Sequence, residues 1–157
     1  MNIEEKLVKK LIEKKLTISF GESITGGMLA STIINVSGSS NVIRESYVTY
    51  SNEVKEKVLG VKKETIDKYT VVSNEVVKEM ALGLFKLTGS NICASVSGYA
   101  ETEAINQGYA WYAILINDDK HNNYMFTSEL NVNGSRNEVR KKVTLDILNN
   151  IYRLIED

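Results

Sequence analysis

The sequence predicts an α/β sandwich built on a mixed, mostly parallel sheet of about five strands. Segments with apolar residues every three to four positions alternate with short apolar runs, the pattern of helices interleaved with strands. Ile92 to Ser97 is a run of apolar and small residues between polar neighbours, as expected of an interior strand covered on both faces, with Cys93 buried inside it. Gly108 to Ile116 and Tyr124 to Leu130 are two further strand-like runs joined by Asn117-Asp118-Asp119-Lys120, a hairpin connection that makes the sheet mixed rather than wholly parallel.

The remaining elements follow in order. Asn2 and Glu5 have the spacing of a capping box for a first helix with the stripe Ile3, Leu7, Val8, Leu11 and Ile12, ending near Lys15. Leu16 to Phe20 reads as a strand, Gly21 to Gly27 as a sharp turn, and Met28 to Ile34 as a helix. Asn35 to Asn41 is turn-rich, and Val42 to Tyr50 reads as a second strand. Ser51 can cap a helix through Leu59 that Gly60 terminates, and Lys63 to Tyr69 suits another short helix. Ser73 caps a longer one with Val76, Val77, Met80, Ala81, Leu84 and Leu87 inward and Gly89 at its end. Ser135 and Glu138 repeat the capping box before a final helix with Val139, Val143, Ile147, Ile151 and Leu154 inward.

Composition narrows the classes. The 157 residues suit one compact domain, and 43% hydrophobic with 25% charged residues is ordinary for a soluble globular protein. A net charge of −1 and the lack of a basic stripe with aromatics disfavour nucleic acid as a partner. No apolar run reaches the roughly 20 residues of a membrane span, so no membrane role is expected. A single cysteine excludes a disulfide framework and favours a cytoplasmic setting. No cofactor and no metal are expected.

Ligands in such folds gather at the carboxyl ends of strands, and three loops compete for that place: Glu22 to Gly27, Tyr50 to Lys55, and Ser95 to Gln107. In the first, Gly26 and Gly27 allow close backbone approach, helix-start N–H groups offer an anion site, and Ser23 is placed as a nucleophile. The plain alternative is a helix cap with two turn glycines. A serine hydroxyl needs a group to take its proton. The only histidine, His121, sits in a turn with no acidic orienter apparent beside it, which disfavours a Ser–His–Asp triad. A lysine made neutral by burial can be the base, and Lys55 is the choice because it follows Tyr50 and Ser51 at a site loop. The alternative is a solvated surface lysine.

Glu-Ser-Ile-Thr-Gly-Gly (22–27), Ser-Gly-Ser-Ser (37–40), Val-Thr-Tyr-Ser-Asn-Glu-Val-Lys (48–55), Leu-Gly-Val (59–61), Val-Ser (72–73) and Gly-Ser-Arg…Arg (134–140) together resemble the C-terminal domain of the CinA family, in the family's order along nearly the whole chain. The resemblance implies a three-layer α/β/α sandwich. It also implies hydrolysis of the carboxamide of nicotinamide mononucleotide to nicotinate mononucleotide and ammonia, with Ser23 as nucleophile, Lys55 as base and Tyr50 as the neighbouring phenol. Substrate-binding candidates are Thr25, Gly26 and Gly27 in the first loop, whose N–H groups could hold the oxyanion. To these are added Ser39, Asn52, Ser97 and Gly98, with Arg136 and Arg140 for the phosphate. Surface ion pairs are the alternative for the two arginines. A homodimer is expected. Larger members carry an N-terminal domain that binds a molybdopterin-like ligand, with no counterpart expected in this sequence.

The family loop beginning Gly-Ile-Ala-Gly-Pro is replaced here by Gly98-Tyr99-Ala100-Glu101-Thr102-Glu103. If it lines the site, Glu101 and Glu103 would oppose a phosphate; otherwise they face solvent. The competing functional classes are a nucleotide-binding module of the same fold without turnover, and an interaction protein whose helices mediate assembly.

Overall fold

The computed structural model describes residues 1–157. One sheet of five strands in the order β2-β1-β3-β4-β5 carries helices on both faces. In chain order the elements are α1 (Ile3–Lys14), β1 (Ile18–Glu22), α2 (Met28–Ile34), β2 (Tyr47–Val48), α3 (Asn52–Leu59), α4 (Lys63–Tyr69), α5 (Asn74–Thr88), β3 (Ile92–Tyr99), β4 (Gln107–Ile116), β5 (Tyr124–Asn133) and α6 (Arg136–Ile155). β1 runs parallel to β2 and β3, while β3–β4 and β4–β5 are antiparallel with the longer ladders. Parallel and antiparallel pairings are therefore equal in number, because the hairpin of β4 and β5 makes up so much of the sheet.

Local chemistry explains the helix ends. Asn2 and Ser135 both form complete capping boxes, with Glu5 and Glu138 returning to the cap N–H. Ser51 and Ser73 accept from Val54 and Val76, and Gly60 and Gly89 close the same helices in the left-handed conformation.

Alternation along the strands builds two cores. Ile18 and Phe20 of β1, Ile92, Ala94 and Val96 of β3, and Ala110, Tyr112, Ile114 and Ile116 of β4 face α1, α2 and α6. Cys93, Ala113 and Leu115 face the other way, onto α5 and the end of α3. Six buried apolar residues of α6, from Val139 to Ile155, contribute roughly 1.5–3 kcal/mol each, so this helix is firmly fixed to the sheet. No helix is long and apolar enough to cross a membrane.

The second strand is far shorter than Val42 to Tyr50. Val42 closes a 3₁₀ turn (Ser39–Asn41), and Ile43 makes only an isolated bridge to Ile18. At the other end, Ser51 leaves the strand direction to cap α3. What remains between the two turns is an edge strand, paired on one side only. Ile12, Leu87 and Leu154 also sit at the margins of the core: Ile12 and Leu87 are more than 40% exposed and Leu154 is partly buried.

α3 is held against α5 by a close approach at Gly83. A Cβ at Gly83 would lie 1.6 Å from the Leu59 carbonyl oxygen, so the last turn of α3 rests directly on α5 backbone. Gly83→Ala is accordingly expected to destabilise the protein by about 1–3 kcal/mol or more through overpacking, read as a lower midpoint in chemical denaturation. A stability equal to wild type would show that α3 can shift at no cost. Cys93 is fully buried, and burial pushes its thiol up, partly offset by hydrogen bonds with Ser19 and Thr88. The native protein should therefore react with thiol reagents only at the rate of its opening; immediate labelling would contradict its place in the interior.

Candidate active site

Parallel pairing of β1 with β2 delivers two loops to one edge of the sheet. Glu22 lies opposite Val48, and the Thr49 N–H donates to the Glu22 carbonyl at 2.7 Å. The chain leaving β1 (residues 23–27) and the chain leaving β2 (Tyr50-Ser51) therefore emerge side by side. One turn into α3, the Lys55 side chain returns toward the helix start. Its Nζ donates to the Tyr50 carbonyl at 2.9 Å and stands 3.2 Å from Ser23 Oγ.

Both partners are withdrawn from water, Ser23 with 5% and Lys55 with 1% of their surface exposed. No carboxylate lies within ion-pair distance of Lys55. Burial without a counter-charge pushes its pKa down to about 8. A useful fraction is thus neutral near physiological pH, and a neutral amine at this distance can accept the serine proton.

The loop carrying Ser23 is held from inside by Glu22. This buried carboxylate accepts from the Thr25 hydroxyl at 2.6 Å and from the N–H groups of Gly27, Leu29 and Ala30 at 2.9–3.1 Å. It caps the start of α2 where the helix dipole favours negative charge. Sequence reasoning assigns Glu22 no role. The available signal is a lone carboxylate closing an apolar strand just before two glycines. From outside, Arg140 of α6 donates to the carbonyls of Ile24 (2.9 Å) and Thr25 (3.0 Å). Gly26 and Gly27 adopt φ of +55° and +99°, so the turn depends on residues without a Cβ.

These contacts redistribute several expected roles. The Gly26 and Gly27 N–H groups are committed to the Ser23 carbonyl and the Glu22 carboxylate, and Thr25 Oγ1 points inward to Glu22. The N–H groups of Ile24 and Thr25 make no hydrogen bond within the protein, so they, rather than those of Gly26 and Gly27, are free to meet a ligand. Tyr50 contributes its carbonyl to Lys55, whereas its phenol is exposed and receives Nη2 of Arg136 at 3.4 Å.

Other candidates lie elsewhere. Ser39 lies in the turn after α2, at the amino end of β1 beside Ile18, opposite the Ser23 edge; its motif carries no spatial information by itself. Ser97 is buried and donates to the Val71 carbonyl at 2.9 Å, fixing the connection before α5. Asn52 is exposed in the first turn of α3, without a side-chain hydrogen bond. His121 is paired with Asp118 at 2.8 Å, so an acidic orienter is present after all; this pair follows β4 at the end of the sheet remote from Ser23.

A cavity of about 360 Å³ opens beside the Ser23 loop, lined among others by Ile24, Gly26, Tyr50, Gly98, Arg136 and Arg140. A larger hollow of about 720 Å³ adjoins it across the Tyr99–Glu103 segment, but no residue of the Ser23 or Lys55 loops borders it. Fold and site together define an α/β/α protein with a buried serine–lysine pair at the carboxyl edge of a mixed sheet.

The chain belongs to the CinA C-terminal domain family, whose model matches residues 1–155. It is 45% identical over 158 residues to the CinA-like protein of Petrotoga mobilis, covering 98% of this chain and 38% of that protein. The CinA-like protein of Thermotoga sp. strain RQ2 is 37% identical over 154 residues, covering 98% and 37% respectively. The chain therefore spans little more than a third of the curated relatives it matches. Among solved structures, a competence or damage-inducible protein from Enterobacter asburiae superposes with a TM-score of 0.89 at 26% identity, covering 98% of this chain and 96% of that one. The competence/damage inducible protein CihA from Agrobacterium tumefaciens gives 0.82 at 26% identity, with the same coverage.

The buried amine has a stability signature. Its folded pKa of about 8 lies below the ordinary lysine value of 10.5, so between the two the folded state holds fewer protons than the unfolded chain. Stability contributed by this position rises with pH across that window, and the burial penalty is fully present below about pH 8. Lys55→Met, similar in length and uncharged, should stabilise the protein at pH 7 by up to about 3 kcal/mol. The advantage should vanish toward about pH 11. Denaturant titrations of both proteins at the two pH values test this; a less stable Met variant at pH 7 would show that the ammonium is well accommodated.

Proposed function

We propose that this chain is a serine amidohydrolase that deamidates nicotinamide mononucleotide to nicotinate mononucleotide and ammonia, a step of pyridine nucleotide recycling. The observation that carries the reaction type is the 3.2 Å contact between Ser23 Oγ and a buried, carboxylate-free Lys55 with its pKa near 8. The substrate follows from the family resemblance. It is supported by a cavity beside the Ser23 loop that has one uncommitted arginine, Arg136, on its wall.

Neutral Lys55 takes the proton from Ser23 as Oγ attacks the carboxamide carbon. The carbonyl oxygen becomes an oxyanion facing the uncommitted N–H groups of Ile24 and Thr25, an arrangement worth roughly 3 kcal/mol per donor. The Lys55 ammonium then protonates the departing nitrogen, ammonia leaves, and an ester remains on Ser23. Water attacks that ester with Lys55 again as base, releasing the nicotinate product and restoring the hydroxyl. Glu22 and Arg140 take no part in the proton transfers; they hold the loop so that Oγ, N–H donors and amine keep one geometry.

Incubation of the purified protein with nicotinamide mononucleotide should release ammonia. Ser23→Ala and Lys55→Met should each lower turnover by about a thousandfold or more, and the double variant should be no worse than the singles, since the two groups act as a unit. Activity in the double variant far below both singles would sink the pairing. Turnover of the wild type should rise with pH through a midpoint near 8, as Lys55 loses its proton.

A further inference from the structure

The cavity beside Ser23 has three charged groups on its wall, Arg136, Arg140 and Glu101. Arg140 is committed to the Ile24 and Thr25 carbonyls and to Asn137 Oδ1. Arg136 has no backbone partner. Its side chain is 55% exposed, with Nη2 at the Tyr50 hydroxyl and Nη1 3.9 Å from Glu101 Oε1. The one cation able to turn toward a ligand thus faces a carboxylate from the β3–β4 connection of its own chain. Glu103 borders the neighbouring hollow and not this cavity.

We infer that Glu101 is a specificity-determining residue: its carboxylate holds the position of a ligand's anionic group at Arg136, so the cavity disfavours a phosphate dianion relative to the same ligand without the phosphate. This rests on the nicotinamide amidase reading above and deepens it by naming ligand charge as the quantity selected. The guanidinium fork would suit a phosphate, and an exposed pair at 3.9 Å is loose enough to be displaced. Displacement nevertheless leaves the carboxylate within a few ångströms of the phosphate, where like charges repel. A nucleoside presents a hydroxyl at that place and leaves the Glu101–Arg136 pair intact.

Calorimetric titration of nicotinamide mononucleotide and nicotinamide riboside into the wild type, Glu101→Gln and Glu103→Gln at low salt tests the inference. Both glutamates are exposed, so neither change should unfold the protein. Glu101→Gln should tighten the mononucleotide relative to the riboside by about fivefold or more, and added salt should shrink the gain. Glu103→Gln should move the ratio far less. An unmoved ratio in Glu101→Gln, or equal movement in the two variants, overturns the inference while leaving the amidase reading in place. Failure of both ligands to bind all three proteins overturns the reading of the cavity and the inference together.

Discussion

The Glu22 carboxylate is shut away from water and takes four hydrogen bonds, every one from residues that follow it within eight positions. Leaving such a group without donors would cost several kcal/mol, so the loop cannot unwind locally without meeting that penalty. The bonds require N–H groups of the first turn of α2 to converge on one point, which is why the chain passes through two left-handed glycines before the helix begins. Ser23, next in sequence to this anchor, inherits a fixed position without making the anchoring contacts itself. Arg140 closes the same loop from the opposite side and extends that rigidity to α6.

The two halves of the sheet divide the labour. The parallel half, β2-β1-β3, sends its strand ends to a common edge and supplies Ser23 and Lys55 from successive crossovers. The antiparallel half, β3-β4-β5, gives α6 a broad apolar surface, and α6 in turn presents Arg136 and Arg140 over that edge. Lys55 depends on one further contact, the close rest of α3 on Gly83, which sets how far the helix stands from the sheet. A residue in the middle of α5 therefore helps to place an amine that it does not touch.

Much of this was legible because the decisive interactions are local. Asn2 with Glu5, Ser51 with Val54 and Ser135 with Glu138 are contacts three residues apart, and a sequence displays them directly. The strand read as Ile92 to Ser97 was legible because both of its faces are buried and filled by small or apolar residues, with no charged position among them. What escaped reading depends on partners distant in the chain or on direction in space. The second strand shrank because its limits are set by turns on either side. Ser39 carries the same residue types as a site loop yet follows the wrong end of a helix. Arg140 could be read as a phosphate ligand or a surface ion pair; its actual partners are carbonyls more than a hundred positions away, which no pattern of side chains announces. Tyr50 is used at its backbone oxygen, and a backbone oxygen has no letter in the sequence.

On the amidase reading proposed above, a lysine buried without an acid makes this site an unusual record of its own use. Drift ordinarily erodes an idle active site because nothing opposes it; here drift would be helped along, since an apolar replacement at Lys55 is expected to relieve the fold. A lineage that ceased to need the chemistry would lose this amine sooner than it lost neutral neighbours such as Ser23. On that reading, the persistence of a lysine at this place in a descendant would mark continuing selection for reactivity, legible from thermodynamics before any substrate is known.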